Sequence, residues 1–217
     1  MLKEIYYRLH HLISEPQERG EYSAGHWAAI VRREVLLSCG GNKGKILEVG
    51  CGEGLFLAQL ADKNHELEIW GIDNSSTRIK QARIRLEAGN IHLAVEDAAR
   101  LSFPDEYFDV VVCINVFFNL PSKEAVRDVL SQMKRVCKKT GLLVFDFRNA
   151  ANFLLRLKYS LAPLYDGTVK NLPLKTYYQG EIEALVRGLG LRLLQKRYLG
   201  APWKMLAPII LIQAEKS

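Results

Sequence analysis

The sequence predicts an α/β fold: a doubly wound, mostly parallel, seven-stranded sheet that ends in a C-terminal antiparallel hairpin. Three observations carry this expectation. From residue 44 onward, short apolar runs alternate with longer helical patterns, the signature of βαβ units whose parallel sheet is covered on both faces. One run, Asp109-Val-Val-Val-Cys-Ile114, is almost unbroken apolar and β-branched residue, as a strand buried on both faces requires. The link at 199–204 between the last two apolar runs is too short for a parallel crossover, which needs a dozen or more residues, so those strands pair antiparallel.

Each element follows from its own pattern. Strands are expected at 45–49, 68–72, 91–95, 108–114 and 142–147, with helices at 55–63, 76–88 and 123–138 between them. After residue 148 the rhythm breaks. Pro163, Asp166-Gly167 and Pro173 are turn or breaker signals, and 148–177 reads as an irregular insertion. A helix at 179–189 and strands at 191–198 and 205–214 complete the chain. Ahead of the sheet, 1–13 carries Leu2, Ile5, Leu9 and Leu12 on one stripe, and 25–38 carries Trp27, Ile30, Val31 and Val35 on another. These two amphipathic helices are expected to form a cap within 1–40. The organisation is then one domain over 1–217: the cap, a core at 44–147, an insertion or lid at 148–177, and a closing helix and hairpin at 178–217.

Composition bounds the biology. The 217 residues are 48% hydrophobic and 25% charged, the balance of a globular chain with a sizeable core. The four cysteines form no CxxC pair and three lie in or beside apolar runs, where reduced thiols pack. The charged start MLKEIYYRLHHL is unlike a signal peptide, and no segment approaches the length of a membrane span, so a cytoplasmic protein is expected. The sequon at Asn74-Ser75-Ser76 then has no meaning as a glycosylation site, and these residues serve better as a helix start. A net charge of +6 and a pI near 9.1 raise the question of an anionic partner. Arg78, Lys80, Arg83 and Arg85 recur along one helix, however, and Lys134, Arg135, Lys138 and Lys139 close another, so solvated helix faces account for both groups.

Chemistry is concentrated at three strand ends. The segment Ile46-Leu-Glu-Val-Gly-Cys-Gly-Glu-Gly54 runs an apolar strand into three alternating glycines and then into a helix. Without a Cβ, such a loop takes left-handed conformations and brings its backbone close to a ligand at the helix N-terminus. Its spacing is GxGxG, not the GxGxxG of a dinucleotide-binding turn. Trp70-Gly-Ile-Asp73 ends the next strand in a carboxylate whose two oxygens suit the two hydroxyls of a ribose. The plainer reading of Asp73 is a turn or cap residue ahead of Ser75 and Ser76, which are good caps without it. After the third strand, Asp97 and the Ala98 N–H form an acceptor and donor pair that matches an adenine edge.

Taken in order, LEVGCGEG, GID and EDAARLSFPDEYFDVVVCINV resemble the successive motifs of class I S-adenosylmethionine-dependent methyltransferases, nearest to the branch that acts on small molecules and lipids. The resemblance is strong over 44–147 and rests on topology elsewhere. It implies S-adenosyl-L-methionine as cofactor and a Rossmann-like methyltransferase fold. Gly50, Gly52 and Gly54 would line the methionine and ribose, Glu48 would hold the loop or reach the amino group, Asp73 would bind ribose, and Asp97 with Ala98 would bind adenine. Asn115 would face the methyl end, with Val116 and Phe117 opening the acceptor pocket. Cys51 and Asn74, inside the same loops, complete the expected cofactor-binding set.

No catalytic residue stands out, because a sulfonium methyl is already electrophilic and alignment supplies much of the acceleration. His10, His11, Tyr22 and His26 lie in the expected cap and read as packing or surface residues as readily as a base. Enzymes that methylate exocyclic base amines resemble one another in an Asn-Pro-Pro-aromatic run; Asn115-Val-Phe-Phe118 keeps only the Asn and the aromatic end. Cys113 follows Val112 and lacks the Pro-Cys context of a C5 nucleophile. The expected acceptor is a small, partly apolar or lipid-linked molecule, with Asn152–Leu161 as its cover and nucleic acid disfavoured. Alternatives are an RNA or protein methyltransferase, a non-catalytic cofactor-binding subunit and, last, a nicotinamide-dependent oxidoreductase.

Overall fold

The structure is a computed structural model that describes residues 26–39, 41, 43–86, 90–165, 172–201 and 203–216. In chain order the elements are α1 (His26–Cys39), β1 (Gly44–Val49), α2 (Leu55–Lys63), β2 (Leu67–Asp73), α3 (Ser76–Arg85), β3 (Ile91–Val95) and β4 (Phe108–Cys113). A 3₁₀ turn (Phe117–Asn119) follows, then α4 (Lys123–Val136), β5 (Cys137–Arg148), α5 (Phe153–Tyr165), α6 (Gln179–Gly188), β6 (Leu191–Leu199) and β7 (Ile209–Lys216). The expected helix at 1–13, which carries His10 and His11, and Tyr22 of the expected cap lie outside the described residues.

The seven strands form one sheet in the order β3-β2-β1-β4-β5-β7-β6. The first five pair in parallel, and β7 pairs antiparallel with both β5 and β6. The chain order reverses beside β1, so β1 and β4 leave a crevice at their carboxyl ends, where ligands of such sheets bind. β7 begins with four buried residues, Ile209 to Leu211 and Ile212, and lies inside the sheet. β6, whose charged and apolar residues are interspersed, takes the edge.

Strand alternation divides the core in two. On one face Val111, Cys113, Leu143 and Phe145 pack against Val126, Val129, Leu130 and Met133 of α4 and Ile182 and Val186 of α6. On the other, Ile46, Val110, Val112 and Val144 pack against Val31 and Val35 of α1, Phe56, Leu57 and Leu60 of α2, and Ile79 of α3. α4 shows how the sequence dictates this arrangement. Its buried residues recur three and four apart, and the Ser122 hydroxyl caps its start by accepting the Ala125 N–H at 3.3 Å.

Three expected boundaries are corrected. The helix expected to reach 138 ends at Val136, because the strand pairing of β5 begins at Cys137, opposite Phe108. The last strand starts at Ile209 and not at 205. Residues 203–207 form a turn in which Leu206 and Ala207 donate to the Trp203 carbonyl, and Pro208 has no N–H to give. Within the stretch read as irregular, 153–165 is a helix that carries Pro163 near its C-terminal end. The basic groups are also better partnered than solvated faces require. Arg135 donates to the Leu101 and Phe103 carbonyls and pairs with Asp105, Lys138 pairs with Asp109, and Arg85 donates to the Glu53 carbonyl.

All four cysteines are unpaired and buried. Burial pushes the Cys39 and Cys137 thiols up to about 12, and those of Cys51 and Cys113 well above the usual range. The thiolate is the reactive form, so native cysteines should resist modification. A disulfide-forming thiol reagent at pH 8 is expected to titrate fewer than one thiol per native chain within minutes and all four in denaturant. Rapid native labelling of two or more would contradict the described packing.

Candidate active site

The turn between β1 and α2 is built from residues that only glycine fits. Gly50, Gly52 and Gly54 have φ of 79°, 53° and 75°, all in the left-handed region that Cβ-bearing residues avoid. A Cβ on Gly50 would sit 2.4 Å from Val116 Cγ2, and one on Gly54 would sit 2.7 Å from Leu86 Cδ1. The turn is also bonded to the neighbouring strand: the Gly50 and Cys51 amides both donate to the Ile72 carbonyl at 2.8 Å.

Asp73, at the end of β2, is buried and joins both loops. Its Oδ2 accepts the Gly52 N–H at 3.0 Å and its Oδ1 accepts the Ser75 N–H at 2.9 Å. The plainer role weighed for Asp73, shaping the turn before α3, is therefore filled, while Ser75 caps the helix by accepting from Arg78 N. Each carboxylate oxygen takes two hydrogen bonds, so these backbone contacts orient Asp73 without using up its acceptor capacity. Asn74 is exposed beside it. Asp97 is exposed at the end of β3 and holds its own turn by accepting the Ala99 N–H at 2.9 Å, with Ala98 half-buried next to it.

Glu48 lies on β1 immediately before the turn and is buried, with Oε2 making no hydrogen bond. Burial pushes its carboxyl up to about 8; Asp73 adds to the rise and Arg32 of α1 opposes it. A buried acceptor with no partner is rare and marks a place where a donor is expected.

Asn115 follows β4 and is strained, with φ of 59°. Its conformation is fixed by two residues that the motif reading did not single out. Asp146 accepts the Asn115 N–H at 2.5 Å, and Arg148 donates to Asp146 Oδ2 at 2.5 Å and to Asn115 Oδ1 at 2.9 Å. Arg148 also donates to the Tyr159 hydroxyl of α5 at 3.2 Å and lies 4.5 Å from the centre of the Phe118 ring. Burial raises the Asp146 carboxyl against the lowering pull of Arg148. A signal for this pair was present: opposite charges two apart in the apolar run Leu142–Phe147 and Arg148 share one strand face, where neither is tolerated alone.

The insertion is anchored at the same edge. The Tyr177 N–H donates to the Arg148 carbonyl, the Ala150 N–H to the Tyr177 carbonyl, and the Lys175 N–H to the Phe118 carbonyl at 2.7 Å. The glycine turn, Asp73 and Val116, which packs on Gly50, thus lie together; Asn115, Phe118, Arg148 and Tyr159 of α5 form a second connected group.

Comparison with known proteins agrees with this geometry. Residues 46–141 match the family model of a methyltransferase domain. Over this segment the chain is similar to methyltransferase domains. A phosphatidylethanolamine N-methyltransferase of Cereibacter sphaeroides is 34% identical over 128 residues, which cover 57% of this chain and 60% of that protein. A ubiquinone/menaquinone biosynthesis C-methyltransferase of Azotobacter vinelandii is 33% identical over 121 residues, covering 53% and 47%. The methyltransferase segment therefore spans about half to three fifths of these two relatives. The crystal structure of a protein from Pyrococcus horikoshii OT3 superposes with a TM-score of 0.70 at 23% identity, over 98% of this chain and 99% of that one. Magnesium protoporphyrin IX methyltransferase from Synechocystis PCC 6803 with bound SAH does so at 0.68 and 16%, over 99% and 95%. At those identities the shared property is the methyltransferase fold.

Two outcomes are expected of variants. Asp146→Ala strands the Arg148 guanidinium in a buried position and should cost about 3–5 kcal/mol in urea unfolding, whereas Asp146→Leu with Arg148→Met should cost much less. A single-variant loss below about 1 kcal/mol would show the pair to be unimportant. Glu48 holds its proton more tightly folded, at about 8, than at its ordinary 4.5, so it opposes folding increasingly as pH rises from 4.5 to 8. The stability of Glu48→Gln relative to the native chain should therefore rise across that window and level off above it; a flat difference would refute the assignment.

Proposed function

We propose that this chain transfers the methyl group of S-adenosyl-L-methionine to a small, partly apolar or lipid-linked acceptor. One observation carries the reading: a left-handed glycine turn, hydrogen-bonded to a buried aspartate on the adjoining strand, with a buried carboxyl immediately before it, one oxygen of which makes no hydrogen bond. The bare turn offers close backbone approach, and the orphaned Glu48 oxygen suits the ammonium of the methionine moiety. Asp73, oriented by the Gly52 and Ser75 amides, suits ribose hydroxyls, with Asn74 beside it. Asp97 and the Ala98 N–H suit the adenine edge, and Gly50, Cys51, Gly52 and Gly54 form the floor.

When bound, the cofactor supplies a sulfonium methyl that needs no further activation. The chain's contribution is placement and exclusion of water. Arg148 and Asp146 hold Asn115 rigid beside the methionine end, while the half-buried Val116 and Phe118 bound the acceptor side; Phe117, expected there as well, is instead wholly buried in the core against Phe145. An apolar acceptor is supported by those side chains and by the two curated relatives, which are named as a phosphatidylethanolamine and a ubiquinone/menaquinone methyltransferase. The missing prolines after Asn115 count against a flipped base, and the raised thiol of Cys113 counts against a nucleophilic cysteine.

Thermal unfolding with S-adenosyl-L-methionine, its demethylated product and NAD tests the reading. A ligand at a hundredfold excess over its Kd adds about 2.7 kcal/mol, which raises Tm by about 5–10 °C in a chain of this size. The first two ligands should do so and NAD should not. Asp73→Ala should lose at least tenfold in affinity; stabilisation by NAD alone, or an unaffected Asp73→Ala variant, would overturn the assignment.

A further inference from the structure

Helix α5 presents its apolar residues outward. Phe153, Leu154, Leu157, Leu161 and Leu164 are 45–77% exposed, whereas Leu155 and Ala162 are buried. At 100° per residue the five exposed side chains fall within one arc about 100° wide, and the two buried ones lie on the opposite side. A helix packed only as core cover would place these sets the other way round. The apolar surface continues beyond the helix. Asn152 Nδ2 donates to the Leu206 carbonyl at 2.6 Å and Asn149 Nδ2 to the Ala207 carbonyl at 2.9 Å, which hold the 203–207 turn against the start of α5. That turn exposes Trp203 at 68% and Met205 at 67%. Contiguous exposed apolar surface of this extent on a folded chain marks an interaction site.

The charge around it identifies the partner. Arg156 lies outside the apolar arc on α5, Lys204 sits between Trp203 and Met205, and Lys175 lies in the segment that returns to the sheet at Tyr177, all exposed. Among the described residues 149–165, 172–180 and 203–208 there are four Lys and Arg and no acid. An apolar helix face bordered by cations, with an exposed Trp on the turn held against its start, is the pattern of an element that lies in the plane of an anionic lipid interface. A protein partner of matching chemistry would have to offer an apolar groove rimmed with acids, whereas a bilayer supplies both features without specific shape.

We propose that α5 and the 203–207 turn dock this chain on the surface of an anionic phospholipid membrane, with the apolar arc immersed and the flanking cations at the headgroups. Because Tyr159 of α5 contacts Arg148, this docking sets the acceptor end of the crevice against the lipid surface. The proposal rests on the surface alone and holds whether or not the methyl-transfer reading does.

Vesicle co-sedimentation of the full chain tests it without any cofactor. Vesicles of phosphatidylcholine with a substantial share of phosphatidylglycerol should bind at least tenfold more tightly than phosphatidylcholine alone, and the preference should weaken as salt rises. Leu157→Asp with Leu161→Asp should reduce binding at least tenfold with unchanged Tm and circular dichroism, since both side chains are exposed. Arg156→Glu with Lys204→Glu should abolish the preference for anionic vesicles. Absence of binding at low salt, or binding that the leucine pair leaves intact, overturns the proposal. So does a concentration-dependent dimer, dispersed by the leucine pair, in a chain that ignores vesicles; the face would then join two copies.

Discussion

The amide of Gly52 donates to Asp73, and the amides of Gly50 and Cys51 donate to the carbonyl one residue earlier, Ile72. These three bonds lock the β1–α2 turn onto the end of β2, and they form only because the turn adopts backbone angles that a Cβ forbids. The rest of the site takes its position from this lock. It sets where α2 starts, and so where Phe56, Leu57 and Leu60 meet the sheet; it aims the Asp73 carboxylate and lets Val116 close against Gly50 without a gap. A side chain on the turn would disturb the helix packing and the ligand surface together.

The second cost lies in buried charge. Glu48, Asp73, Asp146 and Arg148 are all buried near the carboxyl ends of β1, β2 and β5. A chain selected for stability alone would fill those positions with apolar residues, because desolvating an ion pair seldom returns a net gain. Their burial at one end, while the charges at the opposite ends of the same strands, Lys45, Glu68, Lys138 and Lys139, reach solvent, is the pattern of a site that gives up stability for orientation. Asn115 illustrates the exchange. Its strained backbone is held by Asp146 and its side chain by Arg148, so that one amide group is fixed from both ends.

Much of this was legible in the residue order. The strand positions, the antiparallel end and the cap at Ser75 follow from apolar runs, link length and hydroxyl placement, all of which act locally. Helix α5 was obscured because Pro163 and the neighbouring turn residues read as breakers, and because its exposed leucines are indistinguishable in sequence from core-facing ones. The start of β7 was misplaced since Met205 and Leu206 extend an apolar run whose backbone is spent on a turn with Trp203. The Asp146–Arg148 pair needs the third dimension: its meaning depends on Asn115, about thirty residues earlier, which only the β4–β5 pairing brings alongside. Likewise the basic residues of α4 appear solvated in sequence and prove to be tied to carbonyls across the fold.

The place of β7 has a temporal meaning. It comes after β6 in the chain yet stands between β5 and β6, so β6 has no neighbour in the sheet until β7 arrives. During synthesis the parallel half can assemble as it emerges, but β6 must wait outside with its pairing groups open. Completion then depends on insertion of a late and very apolar segment into a central slot, a nonlocal step that is slow and exposes sticky edges meanwhile. A chain stalled on the ribosome just short of Ile209 would carry a nearly finished sheet with an open flank, a natural target for holdase chaperones.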